Sequence, residues 1–211
     1  MYVELLSSIT TGILFGLAAG FLPGPLHTLV IVQTLKYGPR EGIKVAFAPI
    51  LTDIPIIIVS YFLLSRLANF ELIIGLISLF GGLYVLFIAY ECVQTGPVEH
   101  KGPDDNAQSI NRGVIVNFLN PHPYLFWMSV GMPLIIKLQV ENPLAPILFI
   151  LSLYSVLIGS KMLVAVIVGK SRIFLQEKRY LYIMRLLGVM LAVFALILIK
   201  DAVDFLEIFG L

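Results

Sequence analysis

Charged residues and cysteine are both scarce in this sequence. Asp, Glu, Lys and Arg make up only 13% of its 211 residues. A soluble domain carries roughly 25%, so a surface that faces water on all sides is excluded. The single cysteine, Cys92, cannot form an internal disulfide or a Cys-x-x-Cys pair, which excludes thiol-based electron transport. The formal net charge of +1 gives no basic excess, so no nucleic-acid partner is expected.

Long apolar runs fill most of the chain. Hydrophobic residues account for 59% of it, and the mean hydropathy is +0.97. Runs longer than the roughly 20 residues that cross a bilayer indicate transmembrane helices. We therefore predict an all-α integral membrane protein, multi-pass in the cell membrane, with the whole chain, residues 1–211, as one membrane domain. The six predicted spans are residues 5–35, 45–64, 72–93, 114–138, 144–168 and 180–199.

Basic residues are distributed unequally between the two sides that these spans define. One side has nine of them: Lys36, Arg40, Lys44, Lys101, Arg112, Lys170, Arg172, Lys178 and Arg179. The opposite side has three, Arg66, Lys137 and Lys200. Because loops rich in Lys and Arg stay in the cytoplasm, we predict that both chain termini lie outside the cytoplasm.

A polar linker divides the chain into two halves of three spans each. The first repeat covers about residues 1–95, the linker about 96–112, and the second repeat about 113–211. Halves with an odd number of spans enter the membrane from opposite sides, which predicts two inverted-topology three-helix repeats. Gly12, Gly16 and Gly20 in the first span favour close packing inside the protein, and self-association into a homo-oligomer remains the alternative.

The first span of each half contains two prolines separated by one residue. The first half has Pro23-Gly24-Pro25, and the second has Asn120-Pro121-His122-Pro123. Each proline removes an amide donor and clashes with the preceding turn, so a broken helix is predicted in both halves. Open backbone groups at membrane depth are tolerated only inside protein or along a cavity, and paired breaks of this kind indicate a transporter's binding site. Ordinary proline kinks are the alternative reading.

Four ionisable residues lie at a similar depth in four different spans: His27, Asp53, His122 and Lys161. At 1.5 Å per residue, all four lie roughly 10 to 12 Å from the basic side. Buried charges are costly, so these residues are candidates for substrate binding and for ion coupling. Structural alternatives stay open, because Lys161 could reach the interface, each histidine could cap a broken helix, and Asp53 could pair with Lys161. Glu91 and Arg185 are expected at the interface.

These motifs resemble those of the LysE family of amino-acid exporters. The resemblance is carried by Leu22-Pro23-Gly24-Pro25, by residues 38–42, 81–90 and 113–117, and by Asn120-Pro121-His122-Pro123. It implies an exporter of six spans in an inverted repeat, driven by an ion gradient. The chain departs from the family pattern at His122, where lysine is usual, and at residues 46–49, where glycines are usual. Both departures bear on the cavity, so the resemblance does not carry the substrate over.

The leading functional hypothesis is a secondary exporter of amino acids or related small metabolites, coupled to protons through Asp53 or a histidine. No phosphate-binding loop is present, and no cofactor or catalytic residue is expected. The expected partners are a small-molecule substrate and the lipid bilayer. A divalent metal cation exporter using His27, His122, Asp53 and Glu91 is the alternative, which the amine of Lys161 opposes. An intramembrane enzyme lacks a recognisable motif, and a structural subunit would not need the buried charges.

Overall fold

A computed structural model describes residues 2–65, 70–95, 108–172 and 177–209. Within these ranges the chain is helical and contains no strand. Most of the predicted linker, together with Arg66 and Lys101, lies outside the described residues. The helices are α1 Tyr2–Phe21, α2 Pro25–Tyr37, α3 Pro39–Ala46, α4 Ala48–Ser65, α5 Phe70–Val93, α6 Ser109–Phe118, α7 Pro121–Phe126, α8 Met132–Glu141, α9 Ala145–Arg172 and α10 Glu177–Phe209.

Five helical segments in the described residues are long and apolar enough to cross a membrane. They are Tyr2–Phe21, Pro39–Ser60, Leu72–Val93, Ala145–Ser171 and Lys178–Leu206. The predicted fourth span, residues 114–138, is not among them because it consists of three shorter helices, α6, α7 and α8. The protein is therefore an all-α multi-pass membrane protein, and the count of six spans stays a prediction.

Both predicted helix breaks are present. The first separates α1 from α2, where Pro23 cannot bond the Ala19 carbonyl and Pro25 cannot bond the Phe21 carbonyl. The second separates α6 from α7 at Leu119 and Asn120.

A π-helical turn, Trp127–Gly131, follows α7. It directly precedes α8, in which Pro133 lacks the amide that would bond the Ser129 carbonyl. Such wide turns are rare and often lie at functional sites.

Two predicted boundaries were wrong. The second span begins at Pro39 rather than at residue 45, and its helix is interrupted at Phe47, since Pro49 cannot bond the Val45 carbonyl. The last helix, α10, continues to Phe209 instead of ending at residue 199. Its continuation contains Lys200 and Asp201, and charges that end an apolar run do not end a helix.

Glycines bring α1 and α9 into close contact. A Cβ added to Gly16 would lie 2.6 Å from the Leu153 carbonyl oxygen and 2.9 Å from the Val156 Cβ. Gly20 faces Ser160 in the same way, so the two helices run parallel. The face formed by Gly12, Gly16 and Gly20 is therefore covered by α9 of the same chain.

Substituting Gly16 tests this contact. Gly16→Ala should lower the thermal stability of the purified protein in detergent, because backbone on α9 must shift to make room, at a cost of about 1–3 kcal/mol. Gly159→Ala is the matched control, since a Cβ at Gly159 on α9 meets nothing within 4 Å. It should leave the melting temperature unchanged or raise it. Equal melting temperatures for the two variants would refute the tight α1–α9 contact.

A second pair, α5 and α10, is packed through glycines on both helices. A Cβ on Gly82 would lie 3.0 Å from the Ala195 carbonyl oxygen, and one on Gly188 would lie 3.0 Å from the Ala89 carbonyl oxygen. Residue numbers rise along α5 as they fall along α10, so these two helices are antiparallel.

The bundle is closed at one end, which we call the linker side: the end where α5 finishes at Val93 and α6 begins at Ser109. A buried apolar cluster occupies it and includes Leu29, Val45 and Val116. On this side Ser109 Oγ donates a hydrogen bond of 3.2 Å to Gln33 Oε1. Contacts between α2, α3, α6 and α9 thus fill the interior of the bundle on this side.

Candidate substrate site

The two helix breaks face a common cavity of about 390 Å³. This volume falls within the range of small-molecule binding pockets. Nine of the ten residues predicted for the site line the cavity: Pro23, Gly24, Pro25, His27, Asp53, Asn120, His122, Pro123 and Lys161. The tenth, Pro121, is buried at the start of α7 and is not part of the lining.

Asp53 on α4 is held by neutral hydrogen-bond donors. The Tyr154 hydroxyl on α9 donates to Oδ2 at 2.6 Å, and Asn117 Nδ2 on α6 donates to Oδ1 at 3.2 Å. Asn117 Nδ2 also donates to Thr52 Oγ1 at 2.6 Å. Asp53 is only 8% exposed, so these donors replace water around the carboxylate.

Lys161 on α9 interacts with the broken end of α1. Its Nζ donates to the carbonyl oxygens of Ala19 and Gly20, both at 3.3 Å. A helix lacks internal partners for its last carbonyls and carries partial negative charge there, so a buried amine is stabilised at this position. Lys161 is 4% exposed. In the described residues it does not pair with Asp53, so the direct pairing considered above is absent.

His27, in the first turn of α2, interacts with the same end of α1. Its Nδ1 lies 3.2 Å from the Gly20 carbonyl oxygen. A carbonyl accepts only, so Nδ1 carries the hydrogen and Nε2 is the other, accepting nitrogen when the ring is neutral. His27 thus caps the broken helix and also lines the cavity.

The second break is stabilised from within its own segment. Asn120 caps α7 by accepting a hydrogen bond from the His122 amide at 3.1 Å. The Tyr124 hydroxyl donates to the Phe118 carbonyl at 2.9 Å and so satisfies the end of α6. The side chain of His122 is exposed on the cavity wall.

Asp53 and Lys161 occupy corresponding places relative to the two breaks. Lys161 contacts Ala19, which lies four residues before Pro23, and Asp53 contacts Asn117, which lies four residues before Pro121. The break of the first half therefore has the amine of Lys161, from the second half, beside it, and the break of the second half has the carboxylate of Asp53, from the first half, beside it.

Sequence reasoning missed several residues of this site. Tyr154 and Asn117 contact Asp53 from 101 and 64 residues away along the chain. Phe15, Phe126, Trp127, Leu153, Leu157 and Phe194 form the apolar part of the lining. Apolar and aromatic residues occur throughout the spans, so no sequence signal marks these six. Asn117 alone could have been noticed, as an amide within an apolar run.

Glu91 lies at the linker side and not in the cavity. It forms an ion pair with Arg112, which joins α5 to α6. Among the described residues, no three His, Cys, Asp or Glu side chains come together as a metal site would need. The set considered for a metal, His27, His122, Asp53 and Glu91, is therefore not assembled.

A multi-pass helical bundle with a cavity at two broken helices belongs to the class of membrane transport proteins. The family model for the LysE type translocator matches residues 17–202, which is most of the chain. The chain therefore belongs to the LysE type translocator family, as the motifs predicted. Proteins of this family are transporters rather than enzymes, and they export small molecules across membranes. No curated protein and no solved structure gives a significant match to the chain.

Proposed function

We propose that this protein is a secondary exporter of amino acids or related small metabolites that exchanges its substrate for protons. The observation that carries the proposal is the cavity, which joins one carboxylate, one amine and two helix breaks. An amino acid is a zwitterion, so a site with one charge of each sign complements both of its ends. A cavity of about 390 Å³ leaves room for a molecule of this size.

In this proposal the substrate carboxylate binds at the first break. The amides of Leu26 and His27 lie in the first turn of α2, where a helix has no internal acceptors for them. These amides and Lys161 present positive charge to the same space. The remaining proposed binding residues are Pro23, Gly24, Pro25, Asn120, Pro121, His122 and Pro123. Of these, Pro121 acts indirectly, by maintaining the break between α6 and α7.

The substrate ammonium binds Asp53, and so does the coupling proton. A carboxylate can hold a proton or an ammonium group but not both, so one site exchanges the two ligands. Such competition couples export to proton entry without a second acidic residue. Its neutral donors, Tyr154 and Asn117, leave the charge of Asp53 uncompensated until a ligand arrives.

We further propose that the bundle is one membrane domain of two inverted three-span repeats, about 1–95 and 113–211. The α5–α10 contact supports it, because Ala195 lies seven residues after Gly188 and Ala89 lies seven after Gly82. A two-fold rotation that exchanges α5 with α10 therefore maps the Gly82–Ala195 contact onto the Gly188–Ala89 contact. The corresponding positions of Asp53 and Lys161 support the same symmetry. From the loop charges we propose that the linker side lies in the cytoplasm and that both termini lie outside it. Reporter fusions in the linker and after Leu211 would test this orientation.

The divalent-cation alternative is less well supported. Carboxylate and imidazole groups do line the cavity, but Lys161 lies among them and would repel a cation. The described residues also bring no three such ligands together.

Flux measurements with the full chain in liposomes test the proposal. Liposomes loaded with labelled amino acids should release them faster than protein-free liposomes, and acidifying the outside should accelerate release. Parallel liposomes loaded with Zn²⁺ or Mn²⁺ should show no added release. Release of metal ions without any amino-acid release would replace the proposal with the cation alternative.

A further inference from the structure

The cavity wall changes from polar to apolar within one helical turn. On α9, Lys161, Leu157 and Leu153 follow each other at four-residue intervals, all on the cavity. At 1.5 Å per residue each step is about 6 Å along the helix. Phe15 lies one turn from Ala19 on α1, and Phe126 lies one turn from His122. The charged groups thus form one layer, and an apolar layer lies next to it on the side away from the linker.

The apolar layer is largely aromatic. The ring centroids of Phe15 and Phe126 are 5.6 Å apart, and those of Phe126 and Trp127 are 5.4 Å apart. Both pairs meet edge to face, the arrangement that aromatic rings favour. Phe194 of α10 lines the cavity as well. A substrate side chain that reaches this layer meets carbon atoms on several sides.

The polar groups of the cavity are largely committed to protein partners. Asn117 donates to Thr52 and Asp53, Asn120 accepts from the His122 amide, and His27 bonds the Gly20 carbonyl. Among the described lining residues Asp53 is the only carboxylate. Once Asp53 binds the substrate ammonium, a second positive charge on the substrate would have no acidic partner, and burying it unpaired is costly.

We infer that the substrate is a neutral amino acid with a large apolar side chain, such as leucine, methionine or phenylalanine, and not a cationic one such as lysine or arginine. This inference rests on the proposed function and deepens it. The α-ammonium and α-carboxylate occupy the charged layer, and the side chain lies against Phe15, Phe126 and Phe194. Selectivity comes from the apolar layer and from the absence of a second acid in the described lining.

Efflux from liposomes that contain the full chain tests the inference. Liposomes are loaded separately with labelled leucine, phenylalanine, serine, glutamate or lysine, and initial rates are compared. Leucine and phenylalanine should leave at least ~10-fold faster than lysine, since an unpaired buried charge costs well over one factor of ten. Lysine or serine efflux equal to that of leucine would overturn the inference and leave the proposed function standing. Absence of efflux for every amino acid would overturn both.

Two substitutions of Phe194 test whether the apolar layer determines the preference for leucine over lysine. Phe194→Glu adds a carboxylate to the apolar layer and should raise the ratio of lysine to leucine efflux by at least ~10-fold. Phe194→Leu keeps the layer apolar and should retain the parent's preference. Because each result is a ratio within one preparation, partial loss of folded protein does not change it. An unchanged ratio in Phe194→Glu, measured on protein that still exports leucine, would contradict the inference.

Discussion

Asp53→Asn should strongly reduce proton-driven export while leaving the protein folded. Asparagine keeps the size of the side chain and can still accept a hydrogen bond from Asn117. It carries no negative charge, however, so it can neither take up the coupling proton nor form an ion pair with the substrate ammonium. A hydrogen bond to a charged group contributes about 1.5–3 kcal/mol, so export should fall roughly 10- to 150-fold. Stability should change little, because losing charged hydrogen bonds is offset by no longer burying a charge. Flux in liposomes and melting in detergent measure the two effects.

Two controls define what Asp53 does. Asp204→Asn makes the same chemical change on the exposed part of α10, outside the cavity lining, and should export at the parent's rate. Substrate exchange without a pH gradient separates binding from coupling. We expect Asp53→Asn to lose exchange as well, since the carboxylate binds the substrate. Retained exchange with lost pH-driven export would assign Asp53 to protons alone, and a normal rate in both assays would remove it from the mechanism.

Replacing both prolines of either break with alanine should stop transport without destabilising the protein. Pro23→Ala with Pro25→Ala restores two amides, which can bond the Ala19 and Phe21 carbonyls and continue the helix. Pro121→Ala with Pro123→Ala does the same in the second half. Alanine is the better residue inside a helix by ~3 kcal/mol, so melting temperatures should not fall. Transport should collapse in both variants, because a closed helix withdraws the backbone groups that hold the substrate and takes the Ala19 carbonyl from Lys161.

Pro55→Ala is the matched control for both double variants. Pro55 lies inside α4 and is not part of the cavity lining. Its replacement restores an amide in the same way but leaves both breaks intact, so transport should stay near the parent's rate. If instead the double variants melt lower and transport scales with folded protein, the prolines only shape the bundle. Stable double variants that transport normally would show that the breaks are not the site.

The parts of the cavity that sequence alone predicted have local causes. Paired prolines break a helix whatever surrounds them, so both breaks were predicted. Ionisable residues are rare in apolar runs, so the sequence alone predicts Asp53 and Lys161 as site residues. Their partners depend on how distant helices meet, and no local pattern links Asp53 to Tyr154. The pairing of Lys161 with α1 carbonyls rather than with Asp53 follows from the same long-range packing.

Helix boundaries were predicted less well, for a physical reason. Hydropathy measures what a segment can bury, whereas a helix ends where backbone hydrogen bonds lose their partners. The apolar run 114–138 is predicted as one span with a break at Pro121 and Pro123, and the π-helical turn Trp127–Gly131, which no sequence pattern indicates, divides it a second time. Conversely, α10 continues past its apolar run because Lys200 and Asp201 are compatible with a helix.

The glycine contacts between α5 and α10 have a mechanical consequence. Backbone touches backbone at Gly82 and again at Gly188, so these helices cannot approach further, and parting would open a gap at two levels at once. We therefore expect α5 and α10 to stay together as a rigid pair during the transport cycle, while the broken helices move relative to this pair. On this view the Glu91–Arg112 ion pair, which joins α5 to α6, breaks whenever α6 moves away from α5.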